Sequence, residues 1–164
     1  MKEGTKNMNT NVLEANYVHA ENLPWVPTGL GGMVMKVCKA NLVTGQYVLI
    51  VKSPADAAHL PVPAHFHHGT VIVYTIQGEW AYAEDDWVSG PGSVVYEPSG
   101  SKHRPVHVST DEDVITFTVM EGALEILDAN GKTIAISNAH EVYKRYLNYC
   151  EEHGIEPENV TEFE

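Results

Sequence analysis

The stretch Pro63-Ala64-His65-Phe66-His67-His68-Gly69-Thr70 reads as a metal site opening a strand. In extended backbone successive side chains point to opposite faces, so His65 and His67 share one face and His68 takes the other. Two imidazoles spaced i, i+2 can bind one metal ion, and a third ligand is then expected from a neighbouring strand. The best candidate is His103, in Tyr96-Glu97-Pro98-Ser99-Gly100-Ser101-Lys102-His103, where a Pro-Ser-Gly turn doubles the chain back. Alone, a His-x-His is more often a solvated or hydrogen-bonded pair. The punctuation around it changes the balance: Gly78 follows the first strand, Gly92 begins another, Pro98 and Gly100 form the turn, and His103 follows at once.

That frame, His65-x-His67 … Gly78 and Gly92 … Pro98-x-Gly100-x-x-His103, resembles the two-motif pattern of the cupin β-barrel. The resemblance implies an all-β fold, a single cupin (jelly-roll) β-barrel, with His65, His67 and His103 on the metal. Cupins often carry a glutamate ligand four residues after the second histidine, where this chain has Val71. In unbroken alternation Val71 faces inward beside His65 and His67 but cannot ligate. The expected site is three histidines without that carboxylate.

At 164 residues the chain is long enough for one domain with a sizeable core and no staples. Hydrophobic content is 43%, and no apolar run approaches the roughly 20 residues of a membrane span, so no membrane partner is expected. Met1-Lys2-Glu3-Gly4-Thr5-Lys6-Asn7 lacks the apolar core of a signal peptide. Cys38 and Cys150 form neither a zinc nor a redox motif and are expected as buried free thiols in a reducing cytoplasm. A formal net charge of −12 argues against nucleic acid, whose phosphates need Lys and Arg.

Along the chain, residues 1–22 are polar and read as an N-terminal arm. Residues 23–137 read as the barrel, 138–153 as a helix and 154–164 as a tail. Trp25 is a large aromatic anchor in a turn-rich segment, and Met33 to Lys39 is a strand. Tyr47 to Lys52 is a second strand, apolar enough to be buried on both faces, and Ser53 to Pro63 is a loop with three prolines. Val71 to Ile76 continues the histidine strand, Gln77-Gly78 turns it, and Glu79 to Ala83 pairs back. Trp80 and Tyr82 are expected to divide, one lining the cavity and the other packing outside. Trp87-Val88, Ser93 to Glu97, Ile115 to Met120 and Leu124 to Leu127 complete the strands, and Asn130-Gly131 gives a type I′ hairpin signal into Lys132 to Ile136. The motif pair occurs once, so one barrel is expected. Asn138 with Glu141 three residues on fits a helix N-cap; Val142, Tyr146, Tyr149 and Cys150 recur at helical spacing; and Gly154 is the stop. That helix packs on the barrel's outside or on a partner subunit.

Three neutral imidazoles leave up to three coordination positions open, which suits a divalent ion that binds a bidentate substrate with dioxygen or water. If Glu97 points inward it could orient a ligand or bound water, or supply a fourth ligand; if outward it is a surface carboxylate. His107, four past His103, is expected at the rim or behind the ligands, and His68 on the far face. A more specific likeness lies in Gln77-Gly78-Glu79-Trp80-Ala81-Tyr82, Asp86-Trp87-Val88, Glu97-Pro98 … His103, Trp25-Val26-Pro27 and Asp128-Ala129-Asn130-Gly131-Lys132. These resemble the 2,4′-dihydroxyacetophenone dioxygenase branch of the cupins from about residue 23 to 153. The branch is similar to the acetylacetone-cleaving dioxygenases, which use three histidines and a supporting glutamate at the position Glu97 would match.

The resemblance implies a mononuclear non-haem iron dioxygenase that cleaves a carbon–carbon bond of a small hydroxyketone or diketone with O2, with Glu97 tuning bound water or substrate. Fe(II) is the expected metal, with Zn, Ni or Mn as substitutes. The alternatives are a non-enzymatic, sensor-type metal- or ligand-binding cupin and a non-oxidative isomerase or hydrolase. A similar barrel occurs in a zinc-binding anti-sigma factor, whose sigma-gripping helical domain is not expected here. A homodimer or homotetramer is expected, because outer strands need covering and Tyr143, Tyr146 and Tyr149 offer apolar area.

Overall fold

Gly69 sits where the chain passes from one sheet to another, and nothing larger fits: a Cβ there would lie 2.1 Å from the Glu121 carbonyl oxygen. The computed structural model describes residues 15–109 and 111–161, so the first fourteen residues of the expected arm lie outside it. Before the crossing come β1 (Val26–Pro27), β2 (Val34–Ala40), β3 (Tyr47–Ser53) and β4 (His65–His67). After it come β5 (Val71–Gln77), β6 (Trp80–Tyr82), β7 (Val94–Glu97), β8 (Lys102–His103) and β9 (Pro105–His107). The chain ends with β10 (Val114–Met120), β11 (Leu124–Leu127), β12 (Thr133–Ser137) and α1 (Ala139–His153).

Among the described residues the strands form a six-stranded sheet in the order β1-β2-β3-β10-β5-β7 and a four-stranded sheet in the order β12-β11-β4-β8. A two-stranded ribbon, β6-β9, accompanies them. The pairings are antiparallel and long-range, as in an all-β jelly roll with one C-terminal helix.

Several local expectations are corrected. Val71 to Ile76 does not continue the histidine strand: β4 and β5 belong to different sheets, and His68 to Thr70 make the corner between them. Strand β6 does not pair back on β5 but on β9, with Trp80 opposite His107. Trp87-Val88 is not a strand; Ser89 alone bridges to Trp80. Tyr47 and Leu49 are buried while Val48 and Ile50 are half-buried, so β3 is not enclosed on both faces. Asn130-Gly131 is not a type I′ turn, which needs positive φ at both residues. Only Gly131 has it, at +79°. Asp128 Oδ1 accepts from the Asn130 and Lys132 amides at 2.8 and 2.9 Å, and the register slips between Ile126 and Leu127. The Asp128 side chain thus directs a longer, bulged loop.

The helix follows its signals. Asn138 Oδ1 accepts from the Glu141 amide at 3.0 Å, satisfying one donor that the first turn leaves free, and Gly154 ends the helix at φ +63°. Ala139, Val142, Tyr146 and Cys150 are buried against the β1–β2 side, in one cluster with Val26, Met35, Val37 and Tyr47. The segment after Gly154 is docked: Val160 is fully buried and its carbonyl accepts from the Ala40 amide at 2.8 Å. Cys38 is half-buried rather than buried, Cys150 is buried, and both are free thiols whose pKa burial raises.

Candidate metal centre

Strand pairing brings the histidines together. His65 on β4 lies directly opposite His103 on β8, and His67 projects from the same face of β4 two residues on. The Pro98 to Ser101 turn is tied to this strand, because the Gly100 amide donates to the His67 carbonyl at 2.8 Å and the His67 amide to the Ser101 carbonyl at 3.0 Å. The ring centroids lie 4.8 Å (His65–His67), 4.9 Å (His65–His103) and 4.9 Å (His67–His103) apart. One ring nitrogen from each falls within 4.8 Å of the others, and the Nε2 atoms of His67 and His103 are 3.0 Å apart. These three residues could hold one metal ion.

Their surroundings favour it. Burial, and then the proximity of His67 and His103, push the His65 imidazole down to about 3, so its lone pair is available at neutral pH. The Pro63 carbonyl accepts a hydrogen bond from the same ring, an anchor that a ligating histidine uses to fix its orientation.

Glu97 faces inward and is 4% exposed. It arrives from β7 on the other sheet, where its backbone pairs with Val71. Its Oε2 lies 3.0 Å from His67 Nε2 and 3.3 Å from His103 Nε2, while Oε1 accepts a hydrogen bond from the Tyr82 hydroxyl. Burial raises the Glu97 pKa, but the bonds from His103, His67 and Tyr82 outweigh it and hold the carboxyl at about 2. Burial and the Glu97 charge raise the Tyr82 phenol, which stays protonated as the donor. Tyr82 also stacks on the His103 ring, with centroids 3.7 Å apart and an interplanar angle of 11°.

The expected division of Trp80 and Tyr82 is incorrect. Both are buried, at 7% and 5% exposure, and both line the cavity. Residues two apart on a strand share a face, and that parity was the signal for Tyr82 at the site. Trp80 donates from Nε1 to Thr75 Oγ1 at 2.9 Å and packs edge-on to Tyr82 and Trp87.

The cavity beside the histidines has a volume of about 350 Å³ and includes Met35, Leu49, Val73, Met120 and Ile126 in its wall. Val71, 2% exposed, faces into it although the strand alternation is broken. His107 also borders it, but its Nδ1 meets Ser53 Oγ at 3.1 Å and its Nε2 the Glu112 carbonyl at 3.2 Å, outside the trio. His68 lies on the far face, exposed, with Nε2 2.6 Å from Glu125 Oε1.

A family model described as a ChrR cupin-like domain matches residues 13–125. No curated protein matches the chain. Among solved structures, an RmlC-like cupin protein from Ralstonia eutropha is 38% identical with a TM-score of 0.85, covering 93% of this chain and 97% of that one. An acetylacetone dioxygenase from Acinetobacter johnsonii is 19% identical with a TM-score of 0.70, covering 88% and 98%. A structure of Rhodobacter sphaeroides SigE in complex with the anti-sigma ChrR matches at 20% identity and a TM-score of 0.50, covering 63% and 51%. At these lower identities the likeness is one of fold.

Proposed function

The chain belongs to the ChrR cupin-like domain family, and we propose that it is a metal-dependent dioxygenase cleaving a carbon–carbon bond of a small diketone or hydroxyketone with O2. His65, His67 and His103 hold the metal, iron in the native protein. The observation that carries this reading is a convergent trio of imidazoles opening on a largely apolar cavity, with one buried carboxylate beside them. The donor set fits a divalent first-row ion, since imidazole suits iron, zinc and nickel alike. When bound, iron supplies Lewis acidity towards two substrate oxygens and the one-electron chemistry that dioxygen requires.

The protein's own residues do the rest. Met35, Leu49, Val71 and Val73 exclude water and take the apolar substituents of the substrate. Glu97 is fixed through Oε1 by Tyr82, leaving Oε2 facing His67 and His103 as an anionic acceptor. From there it orients a proton-bearing group, a water or an enolisable substrate, or completes the donor set. Tyr82 holds both the carboxylate and the plane of the His103 ring.

A second reading, a metal-binding module without turnover, is favoured by the ChrR description of the family and the likeness to an anti-sigma complex. Loading the metal-free protein with Fe(II) or Zn(II) and following dioxygen with a panel of β-diketones and α-hydroxyketones separates the two. The dioxygenase reading expects uptake with iron and at least one substrate, and none with zinc. Zinc held tightly, with no uptake under iron across the panel, supports the module.

A further inference from the structure

The six-stranded sheet is apolar on its outer side as well as on its inner one, which is not expected if that outer side faced water. On β10 the inward positions are the hydroxyl-bearing Thr116 and Thr118, at 9% and 6% exposure, whereas the outward Phe117 is apolar and 39% exposed. Its neighbours share the apolar outer face: Ile72, Tyr74 and Ile76 point out from β5 at 43–46% exposure, and Val94 and Tyr96 from β7 at about 65%. A one-sided antiparallel sheet normally alternates apolar inside with polar outside.

The strand register shows that these positions are contiguous. One row runs Val48, Val119, Ile72, Tyr96, and the next Ile50, Phe117, Tyr74, Val94, uncharged across β3, β10, β5 and β7 and ending on β2 at Lys39 and Lys36. Five of these eight side chains, Ile72, Tyr74, Val94, Tyr96 and Phe117, are more than a third exposed, the kind of contiguous apolar patch that marks an interaction site rather than scattered surface hydrophobics. On the β2–β3 side the patch ends at Trp25, whose ring lies 4.9 Å from Lys36 Nζ and 4.6 Å from Lys52 Nζ.

We propose that this face is where two copies of the chain meet, sheet packed on sheet about a two-fold axis. A two-fold interface must complement itself, and rows uncharged from β3 to β7 meet that condition. With a net charge of −12 the chain repels its own copy over most of its surface, and these rows offer an approach free of acidic groups. Twisted sheets pack face to face in aligned pairs through such side chains.

Other occupants fit less well. Residues 1–14 offer only Met1, Met8, Val12 and Leu13 as large apolar groups, too few to cover two rows. The helix tyrosines expected to supply the surface are engaged elsewhere: Tyr146 is 1% exposed and bonded to the Glu158 backbone, Tyr143 is partly buried against the cluster beneath the helix, and Tyr149 stacks on His153.

Sedimentation equilibrium of the full chain between about 1 and 100 µM, in enough salt to screen its charge, tests the proposal. The expected mass is twice that of the chain. The double variant Tyr74→Glu/Tyr96→Glu should raise the dissociation constant about a hundredfold or more with unchanged far-ultraviolet circular dichroism. Ile134→Glu/Ile136→Glu, on the exposed side of β12, should leave it unchanged. If the double variant does not fold, the milder Tyr96→Ala is read instead, and a weakening of about fivefold or more is expected.

A wild type that stays monomeric at 100 µM overturns the proposal, as does a folded double variant, or a Tyr96→Ala variant, that dimerises normally. It is also overturned if deleting residues 1–14 converts a monomer into a dimer, since that gives the face to the chain's own beginning.

Discussion

The helix side of the barrel and the histidine side are packed by different chemistry. Beneath α1 the buried cluster is aliphatic and aromatic: Val26, Val37, Val142, Tyr146 and Val160. Around the histidines a smaller group, Val71, Val73, Trp80, Tyr82 and Val114, surrounds buried Glu97, His67 and His103. Apolar burial stabilises without regard to orientation, whereas buried polar groups must each be matched by a partner. Stability is therefore concentrated in the first region and the proposed chemistry in the second, so damage to one should leave the other's readout intact.

The largest effect belongs to the helix side. Tyr146→Ala empties a site that is 1% exposed and should lower unfolding free energy by about 3–5 kcal/mol, while the folded protein keeps its metal stoichiometry at low temperature. Urea titration with metal analysis checks both halves. His103→Ala is the mirror image. Metal affinity should fall about a hundredfold or more, with a smaller change in the stability of the metal-free protein, measured by equilibrium dialysis with Fe(II) or Zn(II).

Acidity should act on the histidine side. In metal-free protein the folded state keeps His65 neutral down to about pH 3, whereas the unfolded chain takes up that proton near pH 6.5. Because the unfolded state binds more protons in this window, stability is full above pH 6.5 and falls as pH drops. Glu97, held at about 2 in the folded protein, adds a loss of the same sign below pH 4.5. The expected decline is about 2 kcal/mol between pH 6.5 and 4.5, and His65→Phe should flatten it.

Glu97→Gln keeps the shape but removes the charge, so metal should stay bound while dioxygen uptake falls about 10–100-fold. A sharp loss of metal instead would make Glu97 a ligand. Tyr82→Phe is the smallest change. It retains the stack on His103 and removes only the hydrogen bond to Glu97, for about 1 kcal/mol of stability and a few-fold loss of uptake.

The histidine side was legible in the sequence because its signals are local. His-x-His fixes a shared face, and Pro98 and Gly100 return the chain so that His103 can pair with His65. Glu97 was legible as a candidate, but its inward direction depends on β7 pairing with β5, a long-range choice that local pattern leaves open. The same limit explains why β6 joins β9 rather than its sequence neighbour. Gly69 marked a corner only in the presence of the Glu121 carbonyl pressed against it. At Asn130-Gly131 the turn type was decided by Asp128, whose carboxylate gathers two amides. The reversed polarity of β10 was present in Thr116-Phe117-Thr118, although its direction waited on the register.

The most direct test of the proposed reaction is the fate of dioxygen itself. Cleaving R–CO–CH(OH)–R′ with O2 balances as two carboxylic acids, with one oxygen atom entering each fragment. Iron-loaded protein supplied with ¹⁸O2 and a turned-over hydroxyketone should give one label in each acid, at one O2 consumed per substrate lost. Fragments formed without label, or substrate lost with no dioxygen consumed, would contradict the account and assign the site to hydrolytic or other non-oxidative chemistry.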